Sequence, residues 1–193
     1  MKKWRYLFIV LGIFLLLFLG QKRYRDINQR IQSPEALYFA MGEEVEMEKD
    51  ILMNYTMEGY SITVTDAEIL TYSEFLDKHR LEDVYSHVPE KVYEVEVVLR
   101  NRNADTDTGI NLSEFYVQKG AICASLDMNL YSQANPDLDG VFMLALRPES
   151  EITLRLPFAL YQDSFKARTW KDLENQELGL VVTLYPVKKV ISL

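Results

Sequence analysis

The stretch NADTDTGINLSE sets oxygen-bearing side chains at the spacing of a calcium loop: Asn103, Asp105 and Asp107, then Asn111 and Glu114. A hard divalent cation takes six to eight such oxygens, and an EF-hand loop draws them from its first, third, fifth, ninth and twelfth positions around an invariant glycine at the sixth. Thr108 holds the glycine place and Gly109 follows one residue late. The flanking segments VYEVEVVL and EFYV alternate like strands, whereas an EF-hand aims its ligands from two helices. The same residues suit a polar connector, because Asn and Asp close Asx-turns on their own backbone and Gly109 supplies a positive φ. The connector is the preferred reading, with a weak cation site as its rival.

Other groups with chemical potential are sparse. NPDLDG (Asn135 to Gly140) is a second acidic loop whose carboxylates could share an ion with the first if the two met. Glu94 and Glu96 fall on one face of a strand and read as exposed acids rather than an acid–base pair. The two histidines, His79 and His87, lie in no triad context, and no G-x-S-x-G, P-loop or dinucleotide fingerprint occurs. The single cysteine, Cys123, rules out an intrachain disulfide framework and reads as a buried, inert thiol. Asn54 and Asn111 begin N-x-Ser/Thr sequons, relevant only where glycosylation operates. No catalytic residue, cofactor or firm metal ligand emerges.

The elements that would position these groups are mostly strands. GYSITVTDAEIL alternates, with Tyr60, Ile62 and Val64 on one face. SEFLDKHRLEDVYSH breaks the period and predicts an inserted helix or ordered loop over 73–86, capped by Ser73 and stopped by Pro89. KVYEVEVVLRN returns to strand, with Tyr93, Val95, Val97 and Leu99 opposite Val92, Glu94 and Glu96. Lys119-Gly120 is a hairpin turn between LSEFYVQKG and AICASLDMNLY. Two strands flank RPES, a helical or irregular segment covers YQDSFKARTWKDLENQE, and LGLVVTLYPVKKVISL reads as one long final strand with Pro186 at a bulge or edge. About eight strands with turns every ten residues or so favour an antiparallel sandwich over a barrel.

The N-terminal segment is of another kind. From Tyr6 to Gly20 it carries no charge, and fifteen helical residues rise about 22 Å, short of the roughly 30 Å hydrocarbon core. Trp4 and Tyr24 suit the interfaces, and Arg5 and Lys22 can snorkel. The run ends in large residues with no small-x-small cleavage site, so it predicts an uncleaved signal-anchor rather than a removed signal peptide. Basic residues on both sides leave the orientation to other arguments. The short MKKW start favours a body outside the cell.

The chain has 193 residues, 48% of them hydrophobic, enough for one domain with a packed core plus an anchor. Of the 21 Lys/Arg and 29 Asp/Glu, the first 32 residues hold seven and one, which leaves 14 and 28 and a body near −14. Such a body repels phosphate backbones, so nucleic acid is excluded as a partner.

Residues 91–158 resemble the immunoglobulin-like, telokin-like extracytoplasmic module of anchored surface proteins in Gram-positive bacteria. The residues that carry the resemblance are the strand VYEVEVVLRN ending in Asn101, the step Glu114-Phe115-Tyr116-Val117, the turn Gly120, and the turn Leu146-Arg147-Pro148-Glu149-Ser150 before ITLRLPF. The module often has glycine after that proline, and this chain has Glu149. The whole chain also looks like an uncharacterised family with one N-terminal anchor, which implies a fold and a place but carries no catalytic residues.

The expected organisation is a transmembrane signal-anchor at 1–22, a juxtamembrane helix or stalk at 23–42, and a mainly β immunoglobulin-like sandwich with short helical insertions at 43–193. The expected function is a non-catalytic, cell-membrane-anchored extracytoplasmic module that binds a protein or envelope component. The alternatives are a solute-binding protein or hydrolase with an unseen pocket, and a calcium-dependent adhesion module using the 103–111 loop.

Overall fold

The computed structural model describes residues 2–30, 35–50, 55–83, 85–103, 109–120 and 122–193. Two compact units divide the chain, Met1–Pro34 and Glu35–Leu193. The described residues of the first form one helix, α1 (Lys2–Arg30). Its described side chains from Leu11 to Asn28 are all exposed, the run Ile13 to Leu19 included. Among the described residues no helix is long and apolar enough to cross a membrane, so the expected spanning helix is not found there.

The second unit is built from strands. In chain order they are β1 (Glu35–Phe39), β2 (Glu44–Glu46), β3 (Lys49–Asp50), β4 (Tyr55–Thr56), β5 (Tyr60–Thr71), β6 (Lys91–Asn101), β7 (Ile110–Asn111), β8 (Tyr116–Lys119), β9 (Ile122–Ser125), β10 (Met143–Leu144), β11 (Glu151–Leu160), β12 (Gly179–Thr183) and β13 (Val187–Ser192). Short helices interrupt them at α2 (Tyr72–His79), α3 (Met128–Ala134) and α4 (Ala167–Lys171). A four-stranded antiparallel sheet has the order β11-β6-β5-β2. A five-stranded sheet has the order β1-β13-β12-β8-β9, antiparallel except for the parallel edge pair β1–β13. Ile62, Val97, Leu99 and Leu154 of the first sheet and Val117, Leu180, Val182 and Ile191 of the second meet in one buried apolar cluster. The fold is therefore mainly β with antiparallel sheets, as the alternation requires.

A bulge sets the facing of β5. Pairing with β6 shifts register between Val64 and Asp66. Up to Val64 the inward residues are Tyr60, Ile62 and Val64, and the extra residue at Thr65 resets the parity. Ala67 and Ile69 then pair with Val95 and Tyr93 and pack against the core, while Asp66 and Glu68 turn outward.

Several expectations change. Within the segment 23–42, expected as a juxtamembrane helix or stalk, α1 runs to Arg30 and Glu35–Phe39 is a strand of the five-stranded sheet. The helix after β5 is capped by Thr71, not Ser73: Thr71 accepts from the Glu74 N–H while the Glu74 carboxylate accepts from the Thr71 N–H, a reciprocal capping box. The segment DMNLYSQA forms α3, because the Asp127 carboxylate accepts from the backbone N–H groups of Asn129 and Leu130. The last stretch is a hairpin of β12 and β13, turned at the cis Tyr185–Pro186 bond, rather than one strand.

Candidate functional site

The outer face of the four-stranded sheet carries the densest set of titratable groups. Glu68, Glu94 and Pro157 share one row across β5, β6 and β11, and Leu70, Val92 and Ala159 form the next. Over this end lie α2 and α3, whose Tyr72, Phe75, Leu130 and Ala134 bury Val92 in a second apolar cluster. The last turn of α2 then sets Lys78 and His79 directly on Glu94. The Lys78 ammonium donates to one Glu94 oxygen, the His79 Nε2 meets the other, and Lys78 also reaches Glu68 at 2.5 Å. Glu94 is only 3% exposed, so the expectation of a solvated acid fails for it and holds for Glu96, which is partly exposed. The Lys78 ammonium and the contact with the His79 ring make the burial tolerable, since an unpaired buried carboxylate is costly. Burial acts to lower the Lys78 pKa, but its bonds to Glu68 and Glu94 outweigh that and raise it above the usual lysine value.

An imidazole held by a carboxylate is the orienting half of a general base. Here the ring is 10% exposed and lies 4.8 Å from Phe75, and both Glu94 oxygens are engaged. A hollow of about 420 Å³ lined by Glu68, Tyr93 and Gln176 lies nearby, but neither His79 nor Glu94 lines it. The arrangement fastens a helix to a sheet and presents no free base to a substrate.

The sequence-predicted metal candidates divide. Asp105 and Asp107 lie outside the described residues. Asn103 is exposed, and its N–H donates to the Gly59 carbonyl. Asn111 and Glu114 engage each other: the Asn111 amide donates to Glu114 at 3.2 Å, and its oxygen accepts from the Ser113 N–H and hydroxyl. This is an Asx-turn opening a 3-10 turn at Leu112–Glu114, and the loop is flanked by β6 and β7 rather than by two helices. Gly109 has no positive φ, and its role is close approach, since a Cβ there would sit 2.9 Å from the Leu144 carbonyl oxygen. No cluster of three or more His, Cys, Asp or Glu able to hold a metal occurs among the described residues.

The second acidic loop resolves into structure as well. Asn135 is buried, donates to the carbonyls of Tyr131 and Arg155, and accepts from the Arg155 N–H, which ties α3 to β11. Cys123 is exposed on the edge strand β9, contrary to the buried thiol expected. An edge position allows both side-chain directions to meet solvent, which alternation alone does not reveal. Asn54 lies outside the described residues.

Sequence reasoning missed the fastening of the RPES turn, although it picked out both partners. Asn101 is fully buried and donates to the Leu146 carbonyl at 2.7 Å, and its own carbonyl accepts from the Glu149 N–H. The Tyr60 hydroxyl accepts from the Leu146 N–H at 3.1 Å. Toward this end the outer face is an ion-pair ladder. Arg102 and Ser61 hold Glu44, and Arg100 holds Glu151 through two bonds. The Arg102 bond, then Ser61, keeps the Glu44 carboxyl down at about 2.

On the other sheet a hollow of about 530 Å³ has Gly179, Val181 and Val190 as its floor. The Lys188 ammonium reaches over it to Gln118 at 2.5 Å. A Cβ on Gly179 would meet a Val190 methyl at 2.4 Å, so only glycine fits that floor.

A protein-family model described as a domain of unknown function (DUF5028) matches residues 36–189. No curated protein and no solved structure matches the chain.

Proposed function

We propose that the chain, which belongs to the DUF5028 family through a match spanning nearly all of the β unit, is a β module anchored to the cell membrane by α1 and displayed outside the cell. It acts by binding a protein or envelope component, without catalysis. The observation that carries this reading is α1 itself. Leu11 and Ile13 to Leu19 are each at least half exposed, an apolar surface that a lone helix in water would not keep. Trp4 and Tyr24 stand outside the run at either end, where interfacial aromatics belong. Fifteen apolar residues insert about 22 Å, and local thinning with snorkelling flanks takes up the remainder. An immunoglobulin-like arrangement is supported by β6 beside β11 in one sheet and β8-β12-β13 in the other, with the chain crossing between sheets after β6, β9 and β11. A non-catalytic role is supported by the His79–Glu94 pair, which is largely buried where the last turn of α2 meets β6.

The test is fractionation of cells expressing the full chain. The protein should stay with membranes through high salt and alkaline carbonate, and protease added to intact cells should digest the β unit. Release by carbonate overturns the anchor, and protection until lysis overturns the orientation.

A further inference from the structure

We propose that Lys22, Arg23 and Arg25 form a basic collar that binds anionic lipid headgroups where α1 leaves the bilayer, an inference that rests on the anchor reading above. The three cations fall within one helical turn, two residues past the end of the apolar run at Gly20, and all three side chains are exposed. Among the described residues none of them enters an ion pair. Elsewhere Lys78 on α2, and Lys91, Arg100, Arg102 and Arg155 on or next to the strands of the four-stranded sheet, are each paired with a carboxylate. The one acid of α1, Asp26, leaves the turn with an excess of two positive charges. Exposed guanidinium and ammonium groups at headgroup depth complement phosphate, and a guanidinium matches two phosphate oxygens at once.

Net charge sharpens the argument. The body near −14 is repelled by an anionic surface, so attraction to such lipids must come from the basic flanks of the helix. The collar is the flank next to that body. It would favour acidic lipid at this leaflet.

The experiment reconstitutes the full chain in phosphatidylcholine vesicles containing trace spin-labelled phosphatidylcholine or phosphatidylglycerol. The motionally restricted fraction of each lipid gives the selectivity. Wild type should restrict the anionic lipid roughly three- to tenfold more strongly at low salt, and near 1 M salt, where the screening length is about 3 Å, the ratio should fall toward unity. The variant K22Q/R23Q/R25Q keeps a good helix former at each place and should lose most of the selectivity. Lys2, Lys3 and Arg5 remain in both proteins, so the difference isolates the collar. Equal selectivity in wild type and variant overturns the collar. Absence of restricted lipid of either kind overturns the anchor, and the collar with it.

Discussion

The outer face of the four-stranded sheet is one surface built two ways. At one end Val92 and Glu94 lie beneath α2 and α3 and are almost fully buried. Toward the other, Glu96 and Arg100 on the same strand and the same face stay partly or largely exposed and pair with Arg155 and Glu151. Strand alternation assigns Glu94 and Glu96 identical surroundings. What separates them is the cover, an eight-residue helix whose last turn carries Lys78 and His79. A carboxylate's energetic role is thus decided by the element laid over it, and the covered and open ends should answer mutation differently.

The largest contrast is between Glu94→Ala and Glu96→Ala. Removing one partner of a buried charge pair typically costs 3–5 kcal/mol, and the partial exposure of Lys78 moderates this to about 2–3 kcal/mol for Glu94. Glu96, paired with Arg155 at 3.7 Å, should cost under about 0.5 kcal/mol. Thermal melts of the full chain in detergent micelles read both. Equal losses would mean that α2 does not shield Glu94.

Two buried tyrosines give the next contrast, with opposite signs. Tyr131, on α3 in the cover, is fully buried, and its hydroxyl has no hydrogen-bond partner among the described residues. Tyr60, at the open end, is as deeply buried but holds Leu146. Tyr131→Phe should stabilise by about 1 kcal/mol, since a buried unsatisfied hydroxyl is a net cost, whereas Tyr60→Phe should destabilise by about as much. A loss in both would place a bound water on Tyr131.

The same contrast explains what the sequence could disclose. The facing of β6 was legible residue by residue, as was the β8–β9 turn at Gly120, because alternation and turn chemistry are local. The resemblance pointed to Asn101 and to Leu146–Ser150 as separate marks, but joining them takes contact between residues 45 apart in sequence. Glu94 was misplaced because nothing local says that α2 folds back over β6. Leu126, Met128 and Leu130 alternate well enough to disguise α3 as strand, although Asp127 stands where a helix cap should. The Thr65 bulge and the chain reversal at Pro186 also depend on pairing partners supplied by other parts of the chain.

Titration should separate the two ends at opposite limits of pH. Glu44, at the open end, is held at about 2 against 4.5 for the free side chain. Its contribution to stability is therefore complete above pH 4.5 and is lost as pH falls toward 2. Lys78, in the cover, is raised above 10.5, so its contribution is complete below that pH and is lost as pH climbs past the raised value. Glu44→Gln should flatten the acid limb of a stability–pH curve and leave the alkaline limb, and Lys78→Met should do the reverse. Parallel changes on both limbs would show that the two ends are not independent.

The smallest expected effect is shared by both ends. Arg80 closes α2 at φ 55°, and Glu149 turns the chain beside Asn101 at φ 62°, both in the left-handed region. A side chain there costs about 1–2 kcal/mol, and glycine removes that cost while adding up to about 1 kcal/mol of backbone entropy in the unfolded chain. At Arg80 the cap is held by the Leu81 N–H donating to the Leu76 carbonyl at 2.9 Å, and at Glu149 by its own N–H on Asn101 at 2.8 Å. Both sets of bonds are backbone bonds that glycine keeps, and both side chains are exposed. Arg80→Gly and Glu149→Gly should therefore each gain a few tenths of a kcal/mol, or about one to two degrees in melting temperature for a chain of this length. A gain at Glu149 alone would assign the Arg80 side chain a contact with the cover. A loss at Glu149 would mean that this turn has exchanged the glycine of the module it resembles for an interaction of the glutamate itself.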